Sequence, residues 1–214
     1  VHFNNGSGWG GRVTWHWPSG SSRHELDEPV DEWGRPEIEF GDVNGDGLAD
    51  FYHGDGSDWG ISLFNGSGWN AEVNWSASIN QEIQELDIIL IDVNADGLAD
   101  ILEGQGDNTS QWKVSYNEGA GWGSPSVWFE TPDDEYNLED PETTLSDVNG
   151  DGYPDIVESA SGGFWDVNPS IGRAWAGISK WPTGAPKYTS RVVLADANGD
   201  GYPDIIKREG GIGW

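Results

Sequence analysis

Short runs in which apolar and polar residues alternate recur along the chain, and none of them lengthens into a helical period. "WGISLF" (59–64) and "WKVSY" (112–116) repeat every second position, which sends alternate side chains to opposite faces of a strand. A glycine-rich turn follows each, and "AEVNW" (71–75) or "PSVW" (125–128) comes after it. Upstream lie two further short runs. "EIEF", "DIIL", "TTL" and "RVVL" each end at an acidic loop, and "DFYH", "DILE", "DIVE" and "DIIK" leave it. The pattern predicts a unit of four short antiparallel strands, written several times over.

The loops and turns confirm the repeat at the level of letters. "GDVNGDGLADF" (41–51) returns as "IDVNADGLADI", "SDVNGDGYPDI" and "ADANGDGYPDI". Their opening aspartates, Asp42, Asp92, Asp147 and Asp196, are 50, 55 and 49 residues apart. Tryptophans keep step, in pairs six apart at Trp9/Trp15, Trp69/Trp75, Trp122/Trp128 and Trp175/Trp181. A further one per unit sits at Trp59, Trp112, Trp165 and Trp214. A four-stranded unit of about 40 to 50 residues in tandem is the signature of a propeller blade. The fold class expected is therefore all-β, a four-bladed β-propeller of four-stranded antiparallel blades, with residues 1–214 as a single domain. The chain starts and stops inside a unit, and "REGGIGW" joined to "VHFNNGSGW" reproduces the pattern of "GDGSDWGISLFNGSGW" with about one residue of slack. A last blade shared between the N- and C-termini would close the ring and leave no sheet edge exposed. The rival reading is a stretch of a longer array, whose complementary ends are coincidental or pair between molecules.

Composition narrows the partners. Only 35 % of residues are hydrophobic, yet 14 tryptophans supply large surfaces for burial or stacking. A formal net charge of −28 repels phosphate backbones and anionic lipid, so neither nucleic acid nor a membrane surface is expected as partner. No apolar run approaches a membrane span, and no signal peptide is visible. There is no cysteine to report on compartment. The initial Val and the lack of any Met suit a processed mature protein or an excised domain, and an extracellular, secreted setting is expected.

The loops carry the clearest chemistry. In the first, Asp42, Asn44 and Asp46 place side-chain oxygens at alternate positions, Gly47 allows a sharp turn, and Asp50 returns a carboxylate. The carbonyl of Leu48 is a further candidate ligand. The equivalent sets are Asp92, Asn94, Asp96, Leu98 and Asp100; Asp147, Asn149, Asp151, Tyr153 and Asp155; and Asp196, Asn198, Asp200, Tyr202 and Asp204. Calcium takes six to eight hard oxygens, and this spacing wraps them around one point. Four Ca²⁺ sites are expected. An EF-hand would want acid at the twelfth position, which Glu103 and Glu158 supply but His53 and Lys207 do not, and its flanks would be helices. A metal-free Asp/Asn/Gly turn could account for one such loop; four intact copies favour the metal.

Loops and strand pattern together resemble FG-GAP/VCBS repeats, the calcium-bearing blades of the integrin-alpha propeller and of many secreted microbial proteins. The "NNGSGW" turn is especially similar to VCBS-type blades of surface and toxin-associated proteins. Calcium-loop propellers of this kind also occur as stand-alone lectins. The resemblance implies a metal that staples the first strand to the second.

Candidate ligand positions lie at the opposite end of the blades, where the connectors 16–36, 76–86, 129–143 and 182–190 vary strongly. Trp59, Trp112, Trp165 and Trp214 open that end once per unit, beside polar side chains. An indole against the apolar side of a pyranose, ringed by hydrogen-bonding groups, makes a sugar site. The same tryptophans read equally as core between blades. No recurring His, Ser or Cys set suggests catalysis, so no enzyme is expected. The leading expectation is a calcium-stabilised lectin with glycans as partners. The alternative is a structural or protein-interaction propeller module of a larger secreted, surface or toxin-like protein.

Overall fold

Strands form where the β-branched and aromatic residues alternate, and the acidic loops interrupt them. A computed structural model of the chain describes residues 7–12, 14, 39–55, 58–76, 88–104, 111–130, 142–160, 162–183 and 193–206. The first sheet is β1 (Glu39–Gly41), β2 (Asp50–Asp55), β3 (Asp58–Ser62) and β4 (Val73–Ser76), paired in sequence order. The second is β5 (Ile88–Ile91), β6 (Asp100–Glu103), β7 (Gln111–Ser115) and β8 (Ser126–Glu130). The third is β9 (Thr143–Ser146), β10 (Asp155–Ser159), β11 (Phe164–Asn168) and β12 (Ser179–Pro182). A two-stranded sheet, β13 (Val193–Ala195) with β14 (Asp204–Ile206), completes the described strands. All neighbours are antiparallel. The fold is thus all-β, three four-stranded antiparallel sheets and one two-stranded sheet, and each acidic loop joins the first two strands of a sheet. Closure by a blade shared between the termini turns on residues 1–6 and 207–214, which lie outside the described residues.

The chain divides into two compact units, Val1–Glu85 with Asn117–Ser124, and Leu86–Tyr116 with Pro125–Trp214. The first therefore holds the sheet β1–β4 and also the turn that joins β7 to β8. Its core is Phe51, Trp59, Ile61, Phe64 and Trp75, and the turn delivers Trp122 onto it. Trp59 and Trp75 are register partners on one face of β3 and β4. The Trp122 ring stands edge-on to both, with centroids 5.3 and 5.1 Å away. Asn117, at the start of the same turn, donates its Nδ2–H to the Val43 carbonyl at 2.7 Å.

The second unit repeats this arrangement. Its main cluster joins Val93, Leu102, Trp112, Val114, Trp128, Phe129 and Ile156, with Trp175 packed against it. Trp175, on the turn between β11 and β12, lies edge-on to Trp128 and Phe129 at 4.7 and 4.9 Å, and its Nε1–H reaches the Trp128 carbonyl at 3.2 Å. A register shift between Trp112 and Lys113 sets Trp112 opposite Phe129 rather than Trp128. The extra residue on β8 brings both Trp128 and Phe129 to the joint. A smaller cluster of Val157, Trp165 and Val167 takes Leu194 of β13.

Candidate functional site

Each acidic loop is folded around its first aspartate. Asp42 accepts the N–H of Gly45 and of Asp46 on Oδ1, at 2.8 and 3.1 Å, and that of Gly47 on Oδ2 at 2.7 Å. Asp147 does the same with Gly150, Asp151 and Gly152, and Asp196 with Gly199, Asp200 and Gly201. Asn44 then accepts from the Asp46 N–H, and Asp46 from the Leu48 N–H, both at 2.9 Å. This ladder recurs through Asn94, Asp96 and Leu98; Asn149, Asp151 and Tyr153; and Asn198, Asp200 and Tyr202. The sixth position needs left-handed backbone, with φ of 83°, 87°, 93° and 91° at Gly47, Gly97, Gly152 and Gly201. At the fourth position three loops have glycine, whereas the second puts Ala95 there at φ 60°. In that loop Asp92 accepts from Asn94, Asp96 and Gly97.

The ninth residue ties the loop to the rest of its sheet. Asp50 is fully buried; its Oδ2 accepts the Val43 N–H at 3.1 Å and its Oδ1 the Phe64 N–H at 2.7 Å. Phe64 opens the β3–β4 turn, so one carboxylate clamps two separate turns. Asp155 bonds Val148 and Ser170 in the same way, at 3.1 and 2.8 Å. Asp100 accepts from Val93, and Asp204 from Ala197. Burial pushes the Asp50 and Asp155 carboxyls above the usual range; the two N–H bonds of each oppose this, and the two nearby loop carboxylates add to it. Asp196, exposed and held by backbone N–H groups led by that of Gly201, is shifted down.

The donor chemistry suits a hard cation. Three side-chain oxygens at alternate positions precede a buried carboxylate already repelled by two others, and carboxylate oxygens keep lone pairs beyond the N–H bonds they accept. Among the described residues no group of three or more His, Cys, Asp or Glu converges as a metal cluster. The side-chain oxygens are turned onto N–H groups of their own loops.

The tryptophans expected to face a sugar are placed otherwise. Trp59 and Trp112 are 0 % exposed and Trp165 is 4 % exposed, so these three present no open face for a pyranose to stack on. The physical reason is pairing across the sheet. Trp59 lies opposite Trp75, Trp165 opposite Trp181, and Trp112 beside Trp128 and Phe129. Trp214 lies outside the described residues. What sequence reading missed is the work of the turn tryptophans Trp122 and Trp175; their six-residue spacing from the strand tryptophans was visible, but their target was not. Also missed was a polar pair on the first sheet. His53 Nε2 lies 3.0 Å from Glu72 Oε2, in space left by Gly60, where an added Cβ would fall 2.2 Å from that nitrogen.

Comparison with known proteins agrees with the repeat. Residues 147–206 match the family of the FG-GAP-like repeat. No curated protein matches the chain. Among solved structures, the Photorhabdus luminescens Tc holotoxin pore with the TccC3-D651A mutation is similar in fold, with a TM-score of 0.63 at 20 % identity over 81 % of this chain. This chain covers only 8 % of that one. A crystal structure of TcdB2-TccC3 aligns over 85 % of this chain and 14 % of its own, at 14 % identity and a TM-score of 0.44.

Proposed function

We propose that the chain is a structural and protein-interaction module of the β-propeller type, belonging to a secreted or toxin-like protein, with calcium in its acidic loops. The burial of Trp59, Trp112 and Trp165 carries this reading. The repeated indoles serve cohesion, and a lectin loses the platforms that recommended it. Fold likeness to part of a Tc holotoxin component supports the setting, as a small share of a much longer chain. Calcium would be held by Asp42, Asn44, Asp46, the Leu48 carbonyl and Asp50 in the first loop, and by the matching residues of the others. Bound there, it supplies positive charge where carboxylates crowd; the chain's own contribution is the turn that gathers them. An extracellular location fits such loops, because modules of that environment bind calcium at about 10⁻⁴–10⁻³ M. No catalytic role is proposed.

A glycan array with the folded protein in millimolar calcium separates the two readings. The module reading expects no selective glycan. Selective binding that survives competition by unrelated sugars would overturn it in favour of a lectin.

A further inference from the structure

Three of the four acidic loops place asparagine and glycine side by side at their third and fourth positions: Asn44–Gly45, Asn149–Gly150 and Asn198–Gly199. The peptide nitrogen that follows an asparagine can close a five-membered ring on the side-chain amide carbon. Glycine, without a Cβ, leaves that approach open. In the first loop each reacting atom has a partner. The Gly45 N–H donates to Asp42 Oδ1 at 2.8 Å, so a carboxylate faces the proton that the nitrogen must give up. Asn44 Oδ1 accepts the Asp46 N–H at 2.9 Å, a donor placed where negative charge develops as the carbonyl is attacked. Asn44 Nδ2, the leaving nitrogen, donates to Asp46 Oδ2 at 3.2 Å. The third and fourth loops repeat the first two contacts, with the glycine N–H donating to Asp147 and Asp196 at 2.7 and 2.6 Å.

Two other asparagines lack this set. Asn94 is followed by Ala95, whose N–H is not among the three that Asp92 accepts. Asn65 does have glycine after it. Its Oδ1, however, accepts the Ser67 and Gly68 N–H groups and the Ser67 hydroxyl, and its Nδ2 donates to Asn70. Among the described residues no carboxylate receives the Gly66 N–H. Asn65 therefore has the letters of the reaction without the carboxylate.

We propose that Asn44, Asn149 and Asn198 are sites of intramolecular deamidation, promoted by the aspartate that opens each loop. In the first loop the Gly45 nitrogen forms a bond to Asn44 Cγ while its proton is drawn off by Asp42. The proton passes by way of Asp42 and solvent to Asn44 Nδ2, the Cγ–Nδ2 bond breaks, and ammonia leaves behind a cyclic imide. Water opens the imide to aspartate or isoaspartate. Each event adds a negative charge, and isoaspartate also inserts a methylene into the main chain, which spoils the alternate spacing of the loop oxygens. The reaction is confined to one loop at a time.

The whole chain is incubated at neutral pH in chelator, both folded and in urea. Tandem mass spectrometry follows, at each asparagine, the mass change as the amide NH₂ becomes OH. The ratio of folded to unfolded rate at each site cancels what the letters alone contribute. At Asn44, Asn149 and Asn198 that ratio should reach about tenfold, below the about 10²–10⁴-fold of a fully tuned proton acceptor. Asn65 and Asn94 should slow on folding. Asp42→Asn keeps an oxygen for the Gly45 N–H but not its basicity, and should take Asn44 below its rate in urea while Asn149 and Asn198 are unchanged. Should that variant melt the loop, Asn44 falls only to its urea rate, and the wild-type contrast with Asn65 decides. Loop asparagines no faster folded than in urea overturn the proposal. So does Asn65 keeping pace with them, or Asn44 reacting as in wild type after Asp42→Asn. Chelator is present in every arm, so the outcome is independent of the module and calcium readings above.

Discussion

The indole of Trp122 stands edge-on to that of Trp75, with ring centroids 5.1 Å apart and planes at 70°. The two residues are 47 positions apart in the sequence, yet Trp122 belongs to the same compact unit as the sheet it covers. Edge-to-face geometry directs the positive rim of one ring at the negative face of the other, adding to the burial of both.

Trp122→Ala removes the ring that closes over Trp59 and Trp75. The expected loss is about 3–5 kcal/mol, typical of a buried aromatic truncated to alanine. Urea unfolding followed by tryptophan fluorescence measures it. Trp9→Ala on the same scale should change little.

Calcium should raise stability by mass action. A single site held at a hundred times its dissociation constant contributes about 2.7 kcal/mol. Thermal melts in calcium, in chelator, and in chelator followed by excess calcium should show a fall and a recovery of the midpoint. An unchanged midpoint with metal analysis confirming removal contradicts the expectation. In chelator, Asp50→Asn should still cost about 1–3 kcal/mol, since its amide turns a donor toward one of the two N–H groups the carboxylate accepts.

The fourth and sixth loop positions make a paired test of backbone strain. Gly47 has φ 83° and open space around an added Cβ, so Gly47→Ala meets no clash and costs only the left-handed conformation, about 1–2 kcal/mol. Ala95 already bears that strain at φ 60°. Ala95→Gly relieves it while loosening the unfolded chain, and the two effects should cancel to within about 1 kcal/mol. Equilibrium unfolding of both variants checks the contrast.

Gly60→Ala should drive the His53 ring off Glu72, because the new methyl would lie 2.2 Å from His53 Nε2 and 2.9 Å from the Glu72 carboxyl carbon. Overpacking of this kind costs about 1–3 kcal/mol. The double variant with His53→Ala should recover part of the loss. A double variant no more stable than Gly60→Ala alone would show that the crowding lies elsewhere.

Strand order and the loops were legible because they are local. "WGISLF" predicted β3 within a residue or two, and the Asp-x-Asn-x-Asp-Gly letters fixed the left-handed turn at Gly47 and its three equivalents. The roles of the tryptophans were not. Alternation puts Trp59 on a face but cannot say what covers the face, and here the cover is Trp122, brought from far along the chain. Whether Trp181 is open and Trp75 closed depends on a neighbouring turn that period and spacing do not encode. The His53–Glu72 pair was hidden for a related reason, since it exists only because Gly60 leaves a gap on the strand between them.

The eight residues Asn117–Ser124 belong to the first unit although both strands they connect belong to the second. No single cut in the polypeptide can therefore separate the two. A fragment ending at Glu85 would be born with the Trp59–Trp75 face bare and sticky, and its counterpart would carry a hairpin tip with nothing to rest on. Dissection of this chain for expression, labelling or fusion has to graft that tip onto the first fragment or keep the molecule whole.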